Sequence, residues 1–129
     1  NVDRYLMSSS LLAIVAQRLI RKICSFCKVR YTFHEHELAL LREYGVIATT
    51  GFRGKGCQKC NWTGYSGRTV IGEILIVDDE IKELIYAGAS APAIREKAIG
   101  KGMKPLKEDA ISKATHGITT VEEVIRVAG

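Results

Sequence analysis

Cys24-Ser25-Phe26-Cys27 and Cys57-Gln58-Lys59-Cys60 are the two stretches on which the reading of this chain turns. They hold all four cysteines of the 129-residue sequence, in two C-x-x-C pairs. Two residues between thiols allow a tight turn to aim both sulfurs at one point. Two such turns make a tetrahedral four-thiolate site, the preferred environment of structural zinc. Cys24, Cys27, Cys57 and Cys60 are therefore the candidate metal ligands. The loop from Cys27 to Cys57 is longer than the usual zinc-ribbon spacing, so a small folded element must sit inside it. Two other readings exist. The cysteines could be reduced thiols buried as small hydrophobes, or a redox dithiol, although neither pair has the strand-to-helix setting of a thioredoxin-like site.

The length of the chain suits one domain with a modest core. Apolar content of 47% and charged content of 26% are ordinary for a globular protein. No apolar run reaches the length of a membrane span, and the first residues lack a signal-peptide layout. The chain starts at Asn1 with structured-looking sequence, and is expected to be a piece of something longer. Paired cysteines without a secretion signal suit a reducing cytoplasm. The net charge of +5 invites nucleic acid as a partner. A local explanation competes, because zinc with four thiolates carries about −2. Lys22, Lys28, Arg30, Lys55, Lys59 and Arg68 all lie near the cysteines in sequence.

Residues 8–23 are apolar and basic together, and their period is ambiguous. Leu11, Val15, Leu19 and Ile23 recur at helical spacing, with Ser8 to Ser10 as a cap, whereas residues 14–20 also read as a buried strand. Local rules favour the helix. Inside the long loop, Thr32-Phe33-His34-Glu35 has the form of a capping box, opening a helix that Gly45 would close. His34 and His36 read as solvated, since four cysteines already complete a site. Gly51-Phe52-Arg53-Gly54-Lys55-Gly56 reads as a loop, and it lacks the spacing of a phosphate-binding loop. Trp62 and Tyr65, interleaved with Arg68, are expected to lie over the metal site as an apolar lid, with base stacking as the alternative.

Residues 68–77 make the clearest strand. Four helices are expected after it. Asp78 and Asp79 cap the first, Ser90 the second with Gly100 as its stop, Pro105 starts the third with Gly117 closing it, and Thr120-x-x-Glu123 is a second capping box. Glu108, Asp109, Glu122 and Glu123 read as helix-start charges favoured by the dipole. No catalytic constellation and no cofactor-binding motif stands out.

Several motifs together carry a resemblance. Ala16-Gln17-Arg18-Leu19-Ile20-Arg21 precedes Cys24-x-x-Cys27-Lys28, and Gly56-Cys57-x-x-Cys60 precedes Thr63-Gly64-Tyr65-x-Gly67-Arg68. Gly72-Glu73-Ile74-Leu75, Gly102-Met103 and Gly117-Ile118-Thr119-Thr120-Val121-Glu122-Glu123-Val124 follow in order. This succession resembles the tail of the ATPases that power type II secretion and type IV pilus assembly, in their tetracysteine branch. Pro105 departs from it, standing where that family commonly has a capping threonine.

The resemblance implies a mixed α/β fold: the last two strands of a RecA-like nucleotide domain, an inserted four-cysteine zinc module and a C-terminal helical array. Its expected divisions are residues 1–23 (helix plus strand), 24–67 (zinc module) and 68–129 (returning strand and helices). On that view residues 14–21 form a strand antiparallel to or near 68–77, and this reading displaces the helical one. The resemblance further implies a cytoplasmic hexamer at the inner membrane, with neighbouring subunits, a secretion or pilus platform and accessory proteins as partners. ATP and magnesium would be held upstream in the parent protein, leaving this chain a structural and interaction role. The alternative is a zinc-ribbon-like nucleic-acid-binding module using Arg18, Arg21, Lys22, Arg53, Lys55 and Arg68.

Overall fold

The computed structural model describes residues 13–128. The helix and serine cap expected near the start of the chain fall outside them. The fold is mixed α/β, and its contacts divide into two compact units. Among the described residues, one comprises 17–71 and 106–128; the other comprises 13–16 and 72–105.

Strand β1 (Ala13–Ile23) pairs with β4 (Tyr65–Ile76) in a two-stranded sheet. The strand reading of residues 14–21 therefore holds over the helical one. β-Branched residues in both segments favour the pleated backbone, and pairing satisfies polar groups that a helix would have satisfied internally.

In the first unit, β2 (Lys28–Thr32) and β3 (Thr50–Gly54) form a second, antiparallel sheet with Lys28 opposite Gly54 and Thr32 opposite Thr50. The segment from Gly51 to Gly54, expected to be a loop, is thus a strand. Two glycines lower its strand propensity, but the partner β2 supplies the missing drive. Helix α1 (Glu35–Glu43) fills the long inter-cysteine loop, and Gly45 closes it with φ of 72°. Its start lies two residues later than the Thr32 box predicts: Glu37 Oε1 accepts from His34 N at 2.9 Å. Tyr31 Oη donates to the other oxygen of the buried Glu37, so that carboxylate closes the helix start and ties it to β2. Helices α4 (Leu106–Thr115) and α5 (Val121–Ala128) complete the unit. Ile20, Phe33, Leu41, Ile71, Ile111 and Val124 are among its buried core residues.

The second unit has its own core of Val77, Ile81, Ile85 and Ala98. Helix α2 (Asp79–Tyr86) is capped by Asp78, which accepts from Ile81 N at 3.0 Å. Helix α3 (Ala91–Gly100) is capped by Ser90, which accepts from Ala93 N at 3.3 Å. Gly100 stays inside α3. The left-handed residue is Gly102, with φ of 104°, and Met103 N returns to Ala98 O at 3.0 Å. That is a Schellman ending, with Met103 packed on the unit's core as its apolar closure. Among the described residues no helix is long and apolar enough to cross a membrane.

Candidate metal centre

Two short turns carry the four thiols. The first links the end of β1 to β2, and the second is a single 3₁₀ turn, Gln58–Cys60, between β3 and β4. Cys57 O accepts from both Cys60 N at 3.3 Å and Trp62 N at 2.8 Å, which tightens that turn around its own cysteines. The turn leaves Asn61 and Trp62 in the left-handed region, with φ of 53° and 64°.

All four Sγ atoms lie within 4.8 Å of one another. Cys24 to Cys57 and Cys27 to Cys60 are each 3.8 Å, and Cys57 to Cys60 is 3.7 Å. A tetrahedron with metal–sulfur bonds of about 2.3 Å has edges of about 3.8 Å. A disulfide would need about 2.05 Å, and all four cysteines are free. The thiols thus fit a tetrahedral thiophilic ion. Cys24, Cys27 and Cys60 are buried, and Cys57 is half-buried. They form a cluster of their own, apart from both apolar cores.

The electrostatics are uneven across the four groups. Burial pushes the Cys27 thiol up, to about 11, against the pull of the Gly56 amide. Burial pushes Cys60 the same way, but amides of Cys57 and Gly64, each 3.3 Å from its sulfur, and the neighbouring thiols outweigh it and bring Cys60 to about 6. A dication supplies what four thiolates in one buried cluster need, a counter-charge at their centre.

Several cations of this unit lie over aromatic rings. Lys28 and Arg30 both lie 4.8 Å from the Phe52 ring centre, Lys59 lies 4.3 Å from that of Phe26, and Arg53 lies 5.3 Å from that of Tyr31. Trp62 does not form a lid, since 74% of it is exposed. Tyr65 turns away to a 2.6 Å hydrogen bond with Thr120 Oγ1.

Sequence reasoning missed one cluster. Glu123, expected as a helix-start charge and as the closing residue of a capping box, is only 1% exposed. It accepts from Arg21 N (2.8 Å), Nε (3.1 Å) and Nη2 (2.9 Å), and from Arg126 Nε and Nη2 (2.7 Å each). Thr120 does cap α5, accepting from Glu123 N at 3.0 Å, but the carboxylate does not close the local box. Arg21 and Glu123 are 102 residues apart, so no local pattern announces the pair.

Burial would raise the Glu123 carboxyl, but hydrogen bonds from Arg126 and Arg21 overcome it and hold it at about 2, below its ordinary 4.5. A depressed carboxyl stabilises the fold above its unfolded pKa, and that contribution is lost as pH falls through the folded value. The stability gap between wild type and Glu123→Gln should therefore shrink as pH drops from about 4.5 towards 2. Urea midpoints of both proteins across that range measure it. A gap that stays constant contradicts the ion-pair account.

A family model for "Type II/IV secretion system protein" matches residues 1–126. The chain belongs to that family. Its relatives include the type IV pilus assembly ATPase PilB of Thermus thermophilus, 44% identical over 126 residues, which covers 96% of this chain and 14% of the relative. The type II secretion system protein HxcR of Pseudomonas aeruginosa is 40% identical, covering 98% of this chain and 23% of the relative. The type II secretion system ATPase E of Vibrio cholerae is 40% identical, covering 98% and 25%. The chain therefore spans a quarter or less of the length of these curated relatives.

Proposed function

We propose that this chain is the zinc-stabilised C-terminal part of a hexameric motor ATPase that drives type II protein secretion or type IV pilus assembly. The observation that carries the reading is the four-thiol cluster, three of whose sulfur separations match tetrahedral edges, in a chain of the secretion family. Cys24, Cys27, Cys57 and Cys60 would hold zinc as a closed structural cross-link. Residues 1–23 would end a RecA-like core, residues 24–67 form the zinc module, and residues 68–129 return a strand and the helices. ATP and magnesium would be bound by preceding parts of the parent protein. The present chain would support neighbouring subunits, an inner-membrane platform and accessory proteins, from the cytoplasmic side.

The nucleic-acid alternative has less to draw on. Arg21 is engaged by Glu123, and Arg53 lies over Tyr31.

The test uses the full-length protein carrying this chain. One zinc per chain by emission spectrometry, a hexameric mass by light scattering and ATP turnover are expected together. Turnover that falls in Cys24→Ser assigns the centre a supporting role in the motor. A protein without bound metal, or without ATP hydrolysis, sinks the reading.

A further inference from the structure

The segment leading into α5, together with the first turn of that helix, reaches both halves of the thiol centre. On the first half, it saturates the backbone of β1 just before Cys24. Arg21 N donates to Glu123 Oε2 at 2.8 Å, Arg21 O accepts from Thr119 Oγ1 at 2.7 Å, and Ile23 N donates to Ile118 O at 2.9 Å. Residues 118–123 thus do for β1 what a neighbouring strand would, with the Glu123 carboxylate standing where that strand's carbonyl would be. Cys24 follows at once, and its own N donates to Gly64 O at 2.9 Å.

On the second half, Gly64 N donates to Cys60 Sγ at 3.3 Å. The next residue, Tyr65, shares the 2.6 Å hydrogen bond with Thr120 Oγ1 and carries the Arg21 guanidinium 4.1 Å from its ring centre. Glu123 and Thr119 are fully buried or nearly so, and Thr120 is 5% exposed. Among the described residues no buried side-chain polar atom lacks a partner, so the network has no slack group to absorb a lost contact.

We propose that residues 118–123 are the clamp that positions the metal centre, with Glu123 setting the Cys24 turn and Thr120 setting the Cys60 turn. Neither residue contacts a ligand sulfur; both act through Arg21 and Tyr65 as positioning residues. This rests on the metal reading above and adds that the last helix governs how well the ion is held. Outer partners that orient metal ligands typically change affinity by about 10–100-fold when removed. Glu123 acts one step further out, so a change of about tenfold, the lower end of that range, is expected for Glu123→Gln. The amide keeps the volume but turns an NH₂ towards two guanidinium groups.

Cobalt(II) substituted into the full-length protein tests the clamp, because its d–d and sulfur-to-metal absorption bands report tetrahedral thiolate geometry directly. Wild type should bind one cobalt with a tetrahedral spectrum, and Cys24→Ser supplies the background. Glu123→Gln should alter the d–d envelope and release cobalt to a chelator about tenfold faster. Thr120→Val should shift both readouts the same way, and it carries the comparison should Glu123→Gln fail to fold. Val124→Ala removes buried volume from the same helix but none of the clamp's side-chain hydrogen bonds, and should leave the spectrum unchanged. Wild-type bands and release rates in folded Glu123→Gln, or in Thr120→Val if only that variant folds, overturn the clamp while sparing the metal reading. A wild-type protein with no tetrahedral cobalt overturns both.

Discussion

Stripping the metal from the four-thiolate centre is expected to remove hydrogen-exchange protection from residues 22–31 and 51–66. Cys24, Cys27 and Cys60 are buried in a cluster whose further packing partner is Cys57. A cluster of four thiols contributes little apolar burial, so on the proposed metal reading a bound ion would supply most of the stabilisation. Structural zinc sites contribute about 10–16 kcal/mol at neutral pH, comparable with the whole 5–15 kcal/mol stability of a typical domain. Without an ion, only S–H···S contacts of 3.7–3.8 Å and the amides on Cys60 hold the sulfurs together, and these are weak bonds. Cys24→Ser should reproduce the effect. Exchange mass spectrometry on the full-length protein before and after chelation, with metal content measured alongside, reads the result. Protection that survives complete loss of metal would show that the fold closes the site by itself.

Gly54→Ala is expected to cost about 2–4 kcal/mol, at the upper end of overpacking effects. A Cβ there would meet Gly64 O at 2.2 Å and Gly64 C and Cα at 2.7 Å. All three are backbone atoms, so no side chain can swing aside. The facing residue is equally constrained: Gly64 has φ of 82°, and its own Cβ would lie 2.5 Å from Gly54 O. The crossing matters for the centre, because Gly64 supplies an amide to Cys60 Sγ and a carbonyl to Cys24 N. Gly67→Ala is the control. Gly67 has φ of 76° with nothing within 4 Å of an added Cβ, leaving only the left-handed backbone cost of about 1–2 kcal/mol. Chemical denaturation of the two variants compares them. Equal losses would mean that close approach at Gly54 is not the constraint.

Much of this protein was written locally. The four clustered thiols declared themselves by spacing, because two C-x-x-C turns need no distant residue to aim their sulfurs as pairs. Asp78, Ser90, Gly45 and Gly117 likewise mark helix ends, since a cap acts on amides within three or four residues of itself. The strand at residues 14–21 was ambiguous by period, and the motif resemblance rather than the residues alone decided it.

What remained hidden depended on partners far along the chain. The segment Gly51–Gly54 is a strand only because β2 lies beside it, and Trp62 stays exposed because its turn leaves it out of the thiol cluster. Glu123 is the clearest case. Its sequence neighbours spell a capping box, and Thr120 does cap the helix, yet the carboxylate spans 102 residues to Arg21. A buried carboxylate takes the strongest set of donors within reach, and two guanidinium groups with a strand amide outweigh one local amide. The C-x-x-C spacing alone singled out the four thiols that the fold gathers into one cluster. Only the tertiary structure decided which residues hold those atoms in place, because that hold runs through hydrogen bonds between segments brought together by burial.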